Sequence, residues 1–297
     1  MNLLTTPRND MCYCPGCSHG MVLERLAAAI GATGRRPEQV CLVSDIGCIG
    51  TADRYFECHT FHGLHGRSIT YAEGIKRVRP EMTVVVLIGD GGCGIGTAHL
   101  VHAARRRAGI KVIVCNNFNF GMTGGQHSPT TPPAGHTSTT PDGAADYPFD
   151  ICETVRVNGA DFVARGSALD PSIGTLIGAA LNAPGFALID VWELCTAYYV
   201  PSNKLTPPRL VELSQRLNMP FGVLFDRTCG PKSLRAAEAA PAATPSHLPH
   251  DQAPPAESQA ATADVVLSWP ERTEICVAGS AGQHIRSAAG TIGKLAG

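Results

Sequence analysis

Short β-branched runs alternate along the first two hundred positions with stretches in which apolar residues recur every three or four places, the pattern of strands interleaved with helices. Residues 17–29 predict a helix, and residues 40–44 (VCLVS) a buried strand. Residues 83–88 (TVVVLI) predict a second strand, 89–96 a glycine-rich turn, 97–107 a helix and 111–115 a third strand. Strand, helix and strand in that order make a crossover, so the sheet is expected to be parallel with helices over it. Further strands at 161–165 and 186–192, around a helix at 171–181, carry the sheet to about residue 195.

Two other stretches break this alternation. Residues 121–148 are dense in Gly, Thr and Pro and too long for a plain connector, and are read as a functional loop over a binding site. Residues 230–265 hold six prolines, eleven alanines and no aromatic residue, a composition that buries too little apolar surface to fold alone. The expected organisation is therefore a domain at 1–229, a Pro/Ala-rich linker at 230–265, and at 266–297 the incomplete start of a second α/β domain.

Composition narrows the function. The 297 residues are 44% hydrophobic and 16% charged, with 24 Lys plus Arg against 25 Asp plus Glu, so no general attraction to nucleic acid is expected. No apolar run approaches the ~20 residues that span a bilayer, and the start lacks the layout of a secretion signal, so no membrane association and a cytoplasmic location are expected. Twelve cysteines in such a compartment point away from disulfides and toward metal or cluster ligation.

Two constellations carry the chemistry. Gly89-Asp90-Gly91 ends one predicted strand and Asn116-Asn117 the next, 27 positions from Asp90 to Asn117. Neighbouring parallel strands end on one edge, where α/β folds bind ligands. Asp90, the Asn117 amide oxygen and a backbone carbonyl near Asn119 are oxygen donors suited to Mg²⁺, and the glycines allow backbone N–H groups to approach a diphosphate. The second constellation is Cys14-Pro-Gly-Cys17, with Cys48 and Cys195 distant in sequence but each at a strand end. Such thiols fit a zinc site, a redox dithiol or an iron–sulfur cluster; the dithiol is disfavoured because no strand precedes the motif.

Tyr13-Cys-Pro-Gly-Cys17, Ile46-Gly-Cys48, His62-Gly-Leu-His-Gly-Arg67, Gly89-Asp-Gly91 and residues 116–126 (NNFNFGMTGGQ) together resemble the β, thiamine-diphosphate-binding, subunit of the 2-oxoacid:ferredoxin oxidoreductases. The resemblance covers roughly residues 10–200, and residues 274–283 are similar to the start of the γ domain of the same enzymes. It implies an α/β fold of the diphosphate-binding type, and oxidative decarboxylation of a 2-oxoacid to acyl-CoA and CO₂. Electrons would leave through a 4Fe-4S cluster to ferredoxin. It implies thiamine diphosphate at Gly89, Asp90, Gly91, Gly92, Asn117, Gly121, Met122 and Thr123, and Mg²⁺ at Asp90, Asn117 and Asn119. The cluster would sit on Cys14, Cys17, Cys48 and Cys195, with Cys12 as the alternative ligand. The family draws a carboxylate that activates the aminopyrimidine from an α partner with the pyrimidine-binding half, so the chain alone is expected to be inactive.

His65 and Arg67 are candidates to contact a substrate carboxylate or the cofactor phosphate, against a bland reading as surface hydrogen-bonding groups. His99 and His102 receive no role, since H-x-x-H without a third ligand is usually packing. Thr51 stands where several relatives carry a Lys or Arg, which leaves open which 2-oxoacid is used, and Asp45 replaces a small residue common in the family, which leaves open its effect on the cluster's potential. Two alternatives remain: a non-oxidative thiamine-diphosphate decarboxylase or synthase, which needs no cysteine quartet, and a zinc-stabilised binding module without catalysis.

Overall fold

The structure is a computed structural model that describes residues 3–228. The linker and second-domain expectations lie outside those residues. In chain order the elements are α1 (His19–Ala32), β1 (Val40–Ser44), β2 (His59–His62), α2 (Ser68–Val78), β3 (Thr83–Gly89), α3 (Asp90–Ile95), α4 (Thr97–Arg105), β4 (Ile110–Asn116), β5 (Asn119–Phe120), β6 (Gln126–His127), α5 (Ile151–Val157), β7 (Phe162–Ser167), α6 (Ile173–Asn182), β8 (Ala187–Trp192), α7 (Tyr199–Asn203), α8 (Pro207–Arg216) and β9 (Gly222–Asp226).

Seven strands form one sheet in the order β2-β1-β3-β4-β8-β7-β9. All neighbours pair in parallel except β7 with β9, which are antiparallel. β9 and β2 are strands of this sheet that hydrophobic patterning misses, and α2, α5, α7 and α8 are helices it does not mark. The four residues of β2 are all exposed, so no burial alternation marks them and only the backbone ladder to β1 makes them a strand. β9 lies beyond the expected end of the sheet and joins it with a register shift at Val163/Ala164. The glycine-rich segment after β3 is also not a plain turn, because its first six residues form the short helix α3.

The central strands bury both faces, as their near-continuous apolar runs require. Leu42, Val85, Leu87, Ile113, Ile189 and Val191 point to the face covered by α1 and α6. Val43, Val84, Val86, Val112, Val114 and Leu188 point to the opposite face, under α2, α4 and α5. A third cluster, around Phe118, Trp192 and Tyr199, seats α8 through Leu210 and Leu213. Among the described residues no helix is long and apolar enough to cross a membrane.

Register decides where chemistry gathers. Gly89 pairs with Cys115, and Asn116 with Trp192, so the residues that leave β3, β4 and β8 emerge side by side at the carboxyl edge. Asp45, leaving β1, joins them there.

Candidate functional site

Asp90 follows β3 and is buried. Its Oδ2 accepts hydrogen bonds from Ser128 Oγ at 2.6 Å and Thr130 Oγ1 at 2.9 Å. Burial pushes its carboxyl up to about 6, although those two hydroxyls pull the other way. A carboxylate so placed favours a cation beside it. Asn117 and Asn119 lie across the crevice, both buried, and Asn119 Oδ1 has no hydrogen-bond partner. A buried amide oxygen without a partner costs about 1–3 kcal/mol unless something occupies it. Asp90, the Asn117 amide and this oxygen are the donors a hard divalent ion prefers, so the residues suit Mg²⁺. The backbone carbonyl near Asn119 that the sequence pointed to is joined by an unpartnered side-chain oxygen at the same position.

These residues line a cavity of about 240 Å³ that also takes in Gly89, Gly91, Gly92, Gly121, Met122, Thr123 and His65. Small residues are required in its wall. A Cβ on Gly91 would lie 2.1 Å from the Phe120 ring, so the ring would have to shift to admit it. Arg67 is exposed and is not among the residues lining this cavity. Gly124, Gly125 and Gln126 also stay outside the lining, with Gln126 bonded back to Thr123 through Oε1 at 2.6 Å.

His65 is held from behind. Its Nδ1 lies 2.8 Å from Asp45 Oδ1, and Asp45 also accepts from Gly66 N at 3.0 Å, Ser68 Oγ at 2.7 Å and Ile46 N at 2.9 Å. Burial alone would raise the Asp45 carboxyl, but the bonds from His65, Gly66, Ser68 and Ile46 hold it below its ordinary value. An ionised Asp45 makes His65 Nδ1 the donor and leaves Nε2 as the other reactive nitrogen. The departure at Asp45 thus has a structural account: it orients His65.

A second cavity, of about 110 Å³, is lined by Cys12, Cys14, Cys17, Cys48 and Cys195. Residues 47–55 explain how Cys48 arrives: Gly47 at φ 113° turns the chain out of β1 into a 3₁₀ segment that starts at Cys48. Cys195 meets the Cys14–Cys17 loop because Thr196 Oγ1 donates to Pro15 O at 2.9 Å and Leu194 N to Ser18 Oγ at 3.1 Å. The Cys48 and Cys195 sulfurs each lie 3.7 Å from the point a Gly121 Cβ would occupy. Burial pushes the Cys17 thiol up to about 11, unlike the depressed thiol of a reactive dithiol. Thr51 lines this cavity too, donating to Cys48 O at 2.9 Å.

Between the two cavities lies a group that sequence reasoning missed. His19 lines both, 2% exposed, and forms a close ion pair with Glu193, which is 0% exposed. The contact is poorly aligned as a hydrogen bond, and besides His19 the Cys115 thiol is the group placed to bond the carboxylate. Burial favours a neutral imidazole, but the Glu193 charge and bonds to Cys48 and Glu193 push His19 well above its ordinary value. Cys115, read from sequence as an incidental thiol, lies against this pair. Its ligand atom and those of His19 and Glu193 all fall within 4.8 Å of one another. The available signals were two polar residues next to apolar runs, His19 opening α1 and Glu193 following β8. Ser128 and Thr130 were also missed as individuals, although the loop that carries them was singled out.

Residues 45–191 match the family model described as the thiamine pyrophosphate enzyme, C-terminal TPP binding domain. The 2-oxoglutarate synthase subunit KorB of Methanothermobacter marburgensis is 38% identical over 198 residues, covering 66% of this chain and 70% of that protein. The 2-oxoacid:ferredoxin oxidoreductase subunit beta of Saccharolobus solfataricus is 38% identical over 190 residues, covering 63% and 62%. The solved 2-oxoglutarate:ferredoxin oxidoreductase from Magnetococcus marinus superposes with a TM-score of 0.67 at 28% identity, over 77% of this chain and 84% of its own. With a thiamine-diphosphate-binding domain match, and with a relative 38% identical over 70% of its own length, the chain belongs to the β-subunit family of the 2-oxoacid:ferredoxin oxidoreductases.

Proposed function

We propose that the chain binds Mg²⁺-thiamine diphosphate in the larger of these cavities and a 4Fe-4S cluster in the thiolate cavity. With an α partner, it would oxidatively decarboxylate a 2-oxoacid to acyl-CoA and CO₂ and pass electrons to ferredoxin. The observation that carries this reading is a shared wall. His19, Cys48, Asn117, Gly121 and Met122 line both cavities, so a donor in one and an acceptor in the other would be separated by single side chains.

When bound, the diphosphate cofactor supplies a carbon nucleophile with an electron sink, and the cluster supplies a one-electron acceptor. The chain's own residues orient and exclude water. Asp90, Asn117 and Asn119 would hold Mg²⁺, and Gly89, Gly91, Gly92, Gly121, Met122 and Thr123 would wall the cofactor. His65, fixed by Asp45, presents its second nitrogen to the cavity for a proton or a substrate oxygen; Arg67 is retained only as a surface contact for an anionic group. Cys14, Cys17, Cys48 and Cys195 would ligate the cluster, with Cys12 beside them.

A single zinc ion suits the thiols less well. Four thiolates on one zinc at about 2.3 Å place their sulfurs roughly 3.8 Å apart. Among the described residues, the ligand group gathered within 4.8 Å is His19, Cys115 and Glu193 and not the cysteine quartet.

Anaerobic native mass spectrometry of the purified chain with Mg²⁺ and thiamine diphosphate tests the reading. A 4Fe-4S increment together with a cofactor increment is expected, and Cys17→Ser should lose the first alone. Zinc in place of iron, with no cofactor bound, would overturn it. Cofactor without iron or sulfide would leave a non-oxidative enzyme.

A further inference from the structure

A buried carboxylate that lacks a well-formed hydrogen bond is expensive, and Glu193 is such a group at the heart of the molecule. Its position is over-determined by backbone. Glu193 N donates to Asn116 O at 2.8 Å, and the following residue, Leu194, donates to Ser18 Oγ at 3.1 Å. The end of β8 is thereby tied both to the asparagine pair and to the first turn of α1. His19 stands in that first turn with its Nδ1 against Glu193, and Cys48 lies beside its ring on the wall that both cavities share. With one nitrogen occupied by the carboxylate, the other is the nitrogen available to sulfur.

We propose that His19, held by Glu193, is a positioning residue that donates a hydrogen bond to the Cys48 sulfur and so raises the reduction potential of the cluster that Cys48 ligates. This rests on the iron–sulfur reading above. A donor to a cluster thiolate stabilises the more negative, reduced state, and hydrogen bonds to the sulfurs are a main lever on such potentials. The location makes the lever useful, because the imidazole lies on the wall between the cofactor cavity and the thiolates. Tuning there sets how readily an electron crosses that wall. The poorly bonded carboxylate is explained as well, since Glu193 fixes the ring orientation that a free imidazole would lose.

The test uses the full chain, reconstituted anaerobically with iron and sulfide, and an electron-paramagnetic-resonance redox titration. His19→Leu is expected to keep wild-type iron and sulfide content while its potential moves to a more negative value. His19→Gln, which retains an N–H donor, should fall between it and wild type. Glu193→Gln, which keeps the shape but loosens the ring, should move the same way by less. A wild-type potential in cluster-replete His19→Leu would overturn the proposal. So would loss of the cluster in a folded His19→Gln chain, which would make His19 a ligand. A further metal ion in wild type that disappears in Glu193→Gln would also overturn it, assigning His19, Cys115 and Glu193 to that ion. Wild-type chain without iron or sulfide would instead defeat the cluster reading itself, and is told apart by its missing signal before any variant is measured.

Discussion

Both edges of the sheet bury charged groups, but they treat them in opposite ways. At the amino edge, Asp161 accepts from Arg107 Nε at 2.7 Å and Phe186 N at 3.0 Å, and pairs with Arg227 at 3.1 Å. Lys111 donates to the carbonyls of Ala183 and Gly185, and burial lowers its ammonium to about 8. Each of these groups is bonded. At the carboxyl edge, Asn119 Oδ1 and both Glu193 oxygens lack good partners, and burial lifts Asp90 to about 6. The first arrangement joins strands and helices; the second holds polar groups ready for something that is not protein. Unsatisfied buried oxygens thus set the carboxyl edge apart, alongside bonded carboxylates such as Asp45 and Asp90.

That contrast can be broken experimentally. The largest effect is expected at the amino edge: Asp161→Ala strips the Phe186 amide and two arginines of their acceptor and should cost about 3 kcal/mol of stability. Chemical denaturation would show it, with cofactor affinity unchanged; a variant as stable as wild type would show that the amino edge is not what its bonding suggests. Asp90→Ala should do the reverse, weakening Mg²⁺-thiamine diphosphate binding at least about 100-fold by calorimetry without loss of stability. Thr130→Val removes one hydroxyl from Asp90 and is expected to weaken the same binding roughly tenfold. Equal affinity in that variant would mean that Ser128 alone orients the carboxylate.

A pH dependence with two signs sharpens the same contrast. Asp90 titrates near 6 in the folded chain against about 3.9 unfolded, so the cofactor-free fold holds its proton more tightly. Stability of the cofactor-free chain should therefore fall as pH rises from about 4 to about 6. The cation needs the carboxylate, so its affinity should move oppositely, dropping about tenfold from pH 7 to pH 5. Asp90→Asn should flatten the stability profile; an unchanged slope would assign the titration to another group.

Much of this molecule was legible from residues alone, for reasons visible in particular elements. β1, β3, β4 and β8 read correctly because strands buried on both faces are mostly apolar along their length. β2 and β9 did not, since an edge strand is made by backbone pairing and carries no necessary side-chain pattern. The Asp90 and Asn117 pair was readable because adjacent parallel strands must end together. Arg67 was not, because a motif neighbour of His65 points wherever the start of α2 sends it, which here is solvent.

The amino-acid sequence by itself determined the α/β class, the glycine-rich segment after β3, and the oxygen and sulfur donors on which the proposal rests. Periodicity and residue chemistry are local properties, and they survive without coordinates. Only the tertiary structure decided that the two constellations share a wall, that Ser128 and Thr130 reach back to Asp90, and that His19 meets Glu193 from 174 positions away. Those facts depend on strand order and on how α1 docks against the end of β8, and a long-range contact of that kind leaves no periodic trace in the chain.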